Sequence, residues 1–222
     1  MQIVYNKEQL VDYVFRSAEA TNDHPILIDQ FIENAFEFDV DALCDGEEVF
    51  IAGIMQHIEE AGVHSGDSSC VLPPYDMSNK VKEDIIDITT KLALELNVVG
   101  LINLQFAVKN NEVYVLEVNP RSSRTVPFVS KYSNVSIANI AAQLSVGKKI
   151  RDFNLKENHF KHTAVKKAVL PFKKFKDEKV FLGPEMKSTG EVMGIDTEPG
   201  IAFLKAMQSD GYSVPRTGTA FV

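Results

Sequence analysis

The residues best able to do chemistry fall in one stretch, LINLQFAVKNNEVYVLEVNPRSSR, at 101–124. Two runs of alternating polarity flank Asn110-Asn111, the pattern of a hairpin. The second run ends in Glu117-Val118-Asn119-Pro120-Arg121. Strand residues two apart share a face, so Glu117 and Asn119 project together, and Gln105 can join them from the neighbouring strand. One carboxylate and two amide oxygens gathered at a strand end make an oxygen-only site of the kind Mg²⁺ accepts, with phosphate oxygens completing its shell. An ordinary hairpin with a polar outer face gives the same alternation, and the local pattern leaves both readings open.

The register sharpens the expectation. Leu104, Phe106, Val108, Tyr114, Leu116 and Val118 are apolar, whereas Asn103, Gln105, Glu117 and Asn119 are polar. A strict two-residue turn at Asn110-Asn111 would not oppose Gln105 to Glu117. A three-residue turn or a bulge is therefore expected.

Three further groups stand out. Arg121 and Arg124 follow the Glu-Asn pair and could grip a carboxylate-like or phosphate-like anion from two directions; as surface arginines they would do nothing. Glu37, Asp39 and Asp41 share one face of a strand. Such a row is ordinarily solvated or neutralised by nearby cations. Alternatively, Glu37 accepts hydrogen bonds from a ribose hydroxyl pair, and the backbone of Asp29-Gln30-Phe31-Ile32, as a strand edge or linker, reads adenine. Gly62-Val63-His64-Ser65-Gly66-Asp67-Ser68 is a two-glycine polar loop whose N–H groups could approach a ligand closely, or simply a surface loop. The histidines lack metal-ligand spacing, and no Ser-His-Asp or Cys-His nucleophile set is readable.

The elements that would position these residues are mixed. Expected strands are Gln2 to Tyr5, Pro25 to Ile32, Phe36 to Cys44, Val49 to Ile58 and Thr163 to Leu170, with extended segments at Val180 to Leu182 and in the tail from Thr217 to Val222. Asp45-Gly46 closes a hairpin, and Pro73-Pro74 marks an extended loop. Asn6 caps a helix to about Ala20, with Leu10, Val11, Val14 and Phe15 on one face, and Ser78 caps another from Asn79 to about Leu96. Helices also run from Ile137 to Val146, stopped by Gly147, and from Pro199 to Ser209. Antiparallel hairpins with flanking helices indicate an α+β fold.

Length and composition bound the class. The 222 residues suffice for one large or two small domains. A net charge of −8 argues against a general nucleic-acid binder. Cys44 and Cys70 make no disulfide framework, which suits a reducing cytoplasm. The N-terminus lacks the pattern of a signal peptide, and no apolar run is long enough to span a bilayer, so neither nucleic acid nor membrane is an expected partner.

The order IEEAGVHSGDS, GLINLQFAVKNNEVYVLEVNPRSSRTVPFVSK, LGPEMKSTGEVMGID closely resembles the large chain of carbamoyl-phosphate synthetase, over essentially all 222 residues. Within it, the chain resembles the second, carbamate-phosphorylating ATP-grasp half. The resemblance implies an α+β ATP-grasp core, an antiparallel sheet flanked by helices, with the lid subdomain truncated at its N-terminus. Residues 1–24 would be the lid remnant, 25–212 the core and trailing segment, and 213–222 the start of a following domain. Gln30, Ile32, Glu37, Gly62, Val63, His64, Ser65, Gln105 and Glu117 would line the ATP site. Position 30 is often His in relatives. Gln105, Glu117 and Asn119 would bind Mg²⁺ or Mn²⁺, and Arg121 and Arg124 would hold the carbamate or the transferring phosphoryl group. The implied partners are a glutaminase small chain and the remaining large-chain domains, in a cytoplasmic ligase serving arginine and pyrimidine biosynthesis. Because the family's glycine-rich loop precedes the first residue, the isolated chain is expected to fold but to have little synthetase activity.

Overall fold

A computed structural model describes residues 3–21, 24–156, 160–174, 181–215 and 217–219. The chain divides into two compact units, Met1–Glu33 and Asn34–Val222.

The first unit holds helix α1, Lys7–Thr21. Asn6 caps it, its Oδ1 accepting from Gln9 N at 2.9 Å, while Gln9 Oε1 accepts from Tyr5 N at 2.9 Å. Val11 and Phe15 remain largely exposed. Neither expected strand forms: Ile3–Tyr5 and residues 25–32 have no ladder. An apolar run becomes a strand only when another strand takes its N–H and C=O groups, and among the described residues these segments have none.

The second unit is built on one seven-stranded antiparallel sheet. Its strands are β1 (Phe36–Asp45), β2 (Val49–His57), β3 (Cys70–Leu72), β4 (Val99–Lys109), β5 (Glu112–Asn119), β6 (Thr163–Val169) and β7 (Gly190–Asp196), in the order β5-β4-β1-β2-β3-β6-β7. Helices α2 (Asn79–Glu95), α3 (Val126–Ser133), α4 (Ile137–Leu144) and α5 (Pro199–Ser209) pack on it. β3, α3 and β7 are additions to the elements expected from sequence. Phe181 and Leu182 lie outside any strand, as do residues 217–219; residues 180 and 220–222 lie outside the described residues.

Alternation along the strands assigns the two faces. Phe38, Val40, Ala42 and Cys44 of β1 join Ile102, Leu104, Phe106 and Val108 of β4 against Val81, Ile85 and Ala93 of α2. Ser78 caps α2, accepting from Val81 N at 3.3 Å. On the opposite face, Leu43, Met55, Cys70 and Leu72 pack with Val129, Ile137, Ile140 and Leu144 of α3 and α4. At the β6–β7 end, Val71 and Val165 pack against Ala202 and Ala206 of α5. There, a Cβ on Gly194 would lie 2.5 Å from Ala206 N, so only glycine allows this approach.

Candidate functional site

The β4–β5 hairpin turns through two residues, Asn110 and Asn111, both left-handed at φ 53° and 61°. Lys109 pairs with Glu112 across it. This register would put Gln105 out of step with Glu117, but a bulge intervenes. Phe106 pairs with Val115 and Gln105 with Glu117, leaving Leu116 as the extra residue. Beyond the bulge Asn103 pairs with Asn119. Of the two devices expected, the sheet uses the bulge. Asn103, Gln105, Glu117 and Asn119 thus share a face, with opposed Cβ atoms about 5 Å apart in such pairs.

The donor chemistry suits a hard cation. Gln105 donates its Nε2 hydrogen to Ser65 Oγ at 2.9 Å, which turns its amide oxygen the other way. The exposed Glu117 carboxylate meets no hydrogen-bonding partner among the described residues. Asn119 Oδ1 accepts from Arg121 Nη2 at 3.1 Å. One carboxylate with amide oxygens is an incomplete oxygen shell that phosphates can finish. Among the described residues no three His, Cys, Asp or Glu side chains form a metal cluster, so a cation here would depend on the amides and on its ligand.

Beneath this pair runs a buried ionic row. β1 pairs with β4 so that Asp39 faces Gln105 and Asp41 faces Asn103. Asn103 Nδ2 donates to Asp39 Oδ1 and Asp41 Oδ1, each at 2.9 Å. His57 lies between Asp39 (Nε2–Oδ2 3.5 Å) and Glu37 (Nδ1–Oε2 3.1 Å). Of the two ordinary fates of such a row, solvation and neutralisation by cations, Asp39 meets the second: Asp39 and Asp41 are 3% and 0% exposed, and His57 lies beside Asp39. The sheet continues inward here, and α3 follows directly behind the residues that bind Asp41.

Environment divides these acids. Burial works against the Asp39 carboxylate, but His57, Asn103 and Lys166 outweigh it and hold its pKa below the ordinary value. Burial, reinforced by Asp39, pushes Asp41 up to about 6. Burial also opposes the His57 imidazolium, yet Cys70, Asp39 and Glu37 raise its pKa well above normal. Lys166, 1% exposed, keeps its charge in the same way: burial opposes it, and Cys70, Glu191 and Asp39 prevail.

The loop at 62–68 closes over this row. Gly62, at φ 100°, adopts a conformation side chains disfavour, and its N–H donates to Glu37 Oε1 at 3.0 Å. His64 N donates to Gly183 O at 2.8 Å. The Asp67 carboxylate accepts from Lys187 N and Ser188 N, each at 2.8 Å at the nearest. Ser188 Oγ donates to Gly66 O at 2.8 Å and accepts from Arg124 Nη1 at 2.9 Å. Lys166 Nζ donates to Ser65 O at 3.3 Å and lies 3.6 Å from Glu191.

In the second unit Gly62 therefore meets Glu37, Ser65 meets Gln105, Gln105 opposes Glu117, Asn119 meets Arg121, and Arg124 reaches Ser188. Gln30 and Ile32 belong to the first unit, where Gln30 is exposed and Ile32 half-buried. Sequence reasoning passed over His57, Asn103, Ser123, Thr125, Lys166 and Ser188. Their partners lie far along the chain, and no local spacing announces them.

The chain matches the family model described as "Carbamoyl-phosphate synthase L chain, ATP binding domain" over residues 1–153. It is 58% identical to the carbamoyl phosphate synthase large chain of Archaeoglobus fulgidus, a match covering all of this chain and 21% of that protein. It is 48% identical to the large chain, C-terminal section, of Aquifex aeolicus, covering all of this chain and 44% of that protein. The chain thus spans about a fifth to under half the length of these relatives. The biotin carboxylase domain of a single-chain bacterial carboxylase shares the fold with a TM-score of 0.57 at 15% identity, over 76% of this chain and 43% of that one. No helix among the described residues is long and apolar enough to cross a membrane. By sequence, the chain belongs to the carbamoyl-phosphate synthase large-chain family, an ATP-grasp ligase family.

Proposed function

We propose that this chain binds ATP with Mg²⁺ or Mn²⁺ and serves the transfer of the γ-phosphoryl group to carbamate, within a carbamoyl-phosphate synthase large chain. The observation that carries the reading is the bulge at Leu116, which opposes Glu117 to Gln105 beside the loop holding Ser65. The full-length match to a C-terminal section of the large chain supports the second half of the enzyme.

In this reading a carbamate oxygen attacks the γ-phosphorus, the bond to the β-phosphate oxygen breaks, and ADP and carbamoyl phosphate leave. Such transfer demands position and charge neutralisation more than covalent chemistry. Glu37, held on one oxygen by Gly62 and on the other by His57, keeps lone pairs for the ribose hydroxyls. Gly62, Val63, His64 and Ser65 line the nucleotide. Gln105, Glu117 and Asn119 hold the cation, which neutralises phosphate charge when bound. Arg121 and Arg124 orient the anionic acceptor.

The same reading assigns residues 1–24 to the lid subdomain, 25–212 to the core and 213–222 to a following domain. It places the chain in the cytoplasm with the other large-chain domains and a glutaminase small chain that supplies ammonia. Calorimetric titration of ATP into the chain, with and without Mg²⁺ or Mn²⁺, tests it. Metal-dependent binding that Glu117→Gln abolishes is expected. Absence of ATP binding at every metal concentration would leave the chain a structural or interaction module.

A further inference from the structure

We propose that Asp41 is the positioning residue for Arg124, fastening the two hydroxyl side chains that bracket it. The inference rests on the reading that Arg124 holds the anionic acceptor.

Asp41 is fully buried on β1. Its Oδ1 accepts from Ser123 Oγ at 2.6 Å and its Oδ2 from Thr125 Oγ1 at 2.5 Å. Asn103 Nδ2 closes the set from β4 at 2.9 Å. Ser123 and Thr125 also lie within hydrogen-bonding distance of each other, at 2.7 Å. Ser123 and Thr125 therefore turn inward, and the residue between them reaches the other way, to Ser188 Oγ. Arg124 is held at both ends: its backbone through Asp41, its guanidinium through Ser188.

The chemistry of the anchor is the telling part. No cation among the described residues pairs with Asp41, and the nearest acid, Asp39, is already engaged by His57. A buried carboxylate beside a second carboxylate is costly, and a neutral side chain could fill the space. Charge-assisted hydrogen bonds are shorter and stiffer than neutral ones. Spending that stiffness on the residues either side of an anion-gripping arginine fits the narrow geometric tolerance of in-line transfer.

Inorganic phosphate and Mg²⁺-ADP serve as probes of the two halves of the site, titrated into the wild-type chain and into Asp41→Asn, Ser123→Ala and Arg124→Lys. Asp41→Asn should weaken phosphate by about tenfold or more, the scale of a misplaced orienting group. Mg²⁺-ADP affinity should stay within about twofold, and Arg124→Lys should add little to the phosphate loss, since coupled residues are non-additive. Hydrogen exchange should quicken at 121–125 while β1 and β4 keep their protection. Ser123→Ala should reproduce the pattern more weakly, and it decides the matter should Asp41→Asn fail to fold. Equal losses for both probes, additive losses with Arg124→Lys, or unchanged exchange at 121–125 would each overturn the inference. Wild-type chain that binds Mg²⁺-ADP but not phosphate would overturn the role of Arg124 and this inference with it. Wild-type chain that binds neither would overturn the proposed function itself.

Discussion

Gln105 and Glu117 are directly opposed across β4 and β5 only because Leu116 is an extra residue in the ladder. The turn alone would put them out of step. Deleting Leu116 should remove the bulge and leave the two-residue-turn register to oppose Gln105 to Glu117 directly, whereas deleting Val115 and Leu116 together should oppose Phe106 to Glu117 and swing Glu117 and Asn119 to the face packed on α2. Metal-dependent ATP binding is expected to survive the single deletion and to disappear in the double one, while the circular dichroism spectrum stays that of the folded chain in both. Retained affinity after the double deletion would show that the opposed pair is not the cation site.

The acids of the buried row predict a pH response. An ordinary Asp carboxyl titrates at 3.8, and Asp41 is pushed up to about 6 by burial first and by Asp39 second. The fold therefore binds this proton more tightly than the unfolded chain does. The resulting stability is complete below about 4 and is lost as pH rises through about 6, an amount of roughly 3 kcal/mol. Asp39, held below 3.8, acts oppositely, losing its contribution only as pH falls through its lowered value. His57, held well above 6.5, keeps its contribution below 6.5 and loses it as pH rises further. Urea unfolding of wild type and Asp41→Asn at intervals between pH 4 and 7 should show the variant gaining on wild type as pH rises, then a constant difference. Parallel curves would refute the assignment.

Lys166 and Glu191 form a third test. Removing one partner of a buried ion pair strands the other. Lys166→Met should destabilise the chain by about 3 kcal/mol in urea unfolding, and Lys166→Met with Glu191→Leu should recover much of that. The double variant should still bind ATP less well than wild type, because Ser65 O has lost its donor. Full binding in the double variant would show that the amine serves the fold alone.

Gly53 faces Leu72 and Val129, and a Cβ there would stand 2.9 Å from a side-chain carbon of each. Gly53→Ala should cost about 1–3 kcal/mol by overpacking. A thermal melt no lower than wild type would mean that α3 can shift outward without penalty.

Much of this was legible in the sequence, and the failures have a common cause. The alternation of β1, the caps of α1 and α2, and the span of α5 follow from residues within a few positions of one another. So does the need for either a bulge or a three-residue turn, which comes from parity in the hairpin. The run at Pro25 to Ile32 reads as a strand because it is apolar, but a ladder requires a second chain segment that no local pattern reveals. β3 is only three residues long, and β7 carries Gly194, which interrupts its alternation for the sake of α5. Glu37, Asp39 and Asp41 were visible as a row; their burial was not, because Ser123 and Thr125 bind Asp41 from 82 and 84 positions away. The hairpin half of the site was readable, and the segment at 183–188 that ties the loop to Arg124 was not.

The contact at Gly194 has a reach beyond its own helix. Gly194 sits across from Val165, next to Lys166, and three residues after Glu191. A methyl group there would wedge α5 away from β7 against main-chain atoms that cannot step aside. Its leverage would fall on the strand pair that carries the buried amine, and through it on the loop carbonyl. A lesion in the trailing helix–strand seam would then masquerade as a defect in handling nucleotide, and screens for loss of activity should recover it far from any ligand-binding motif.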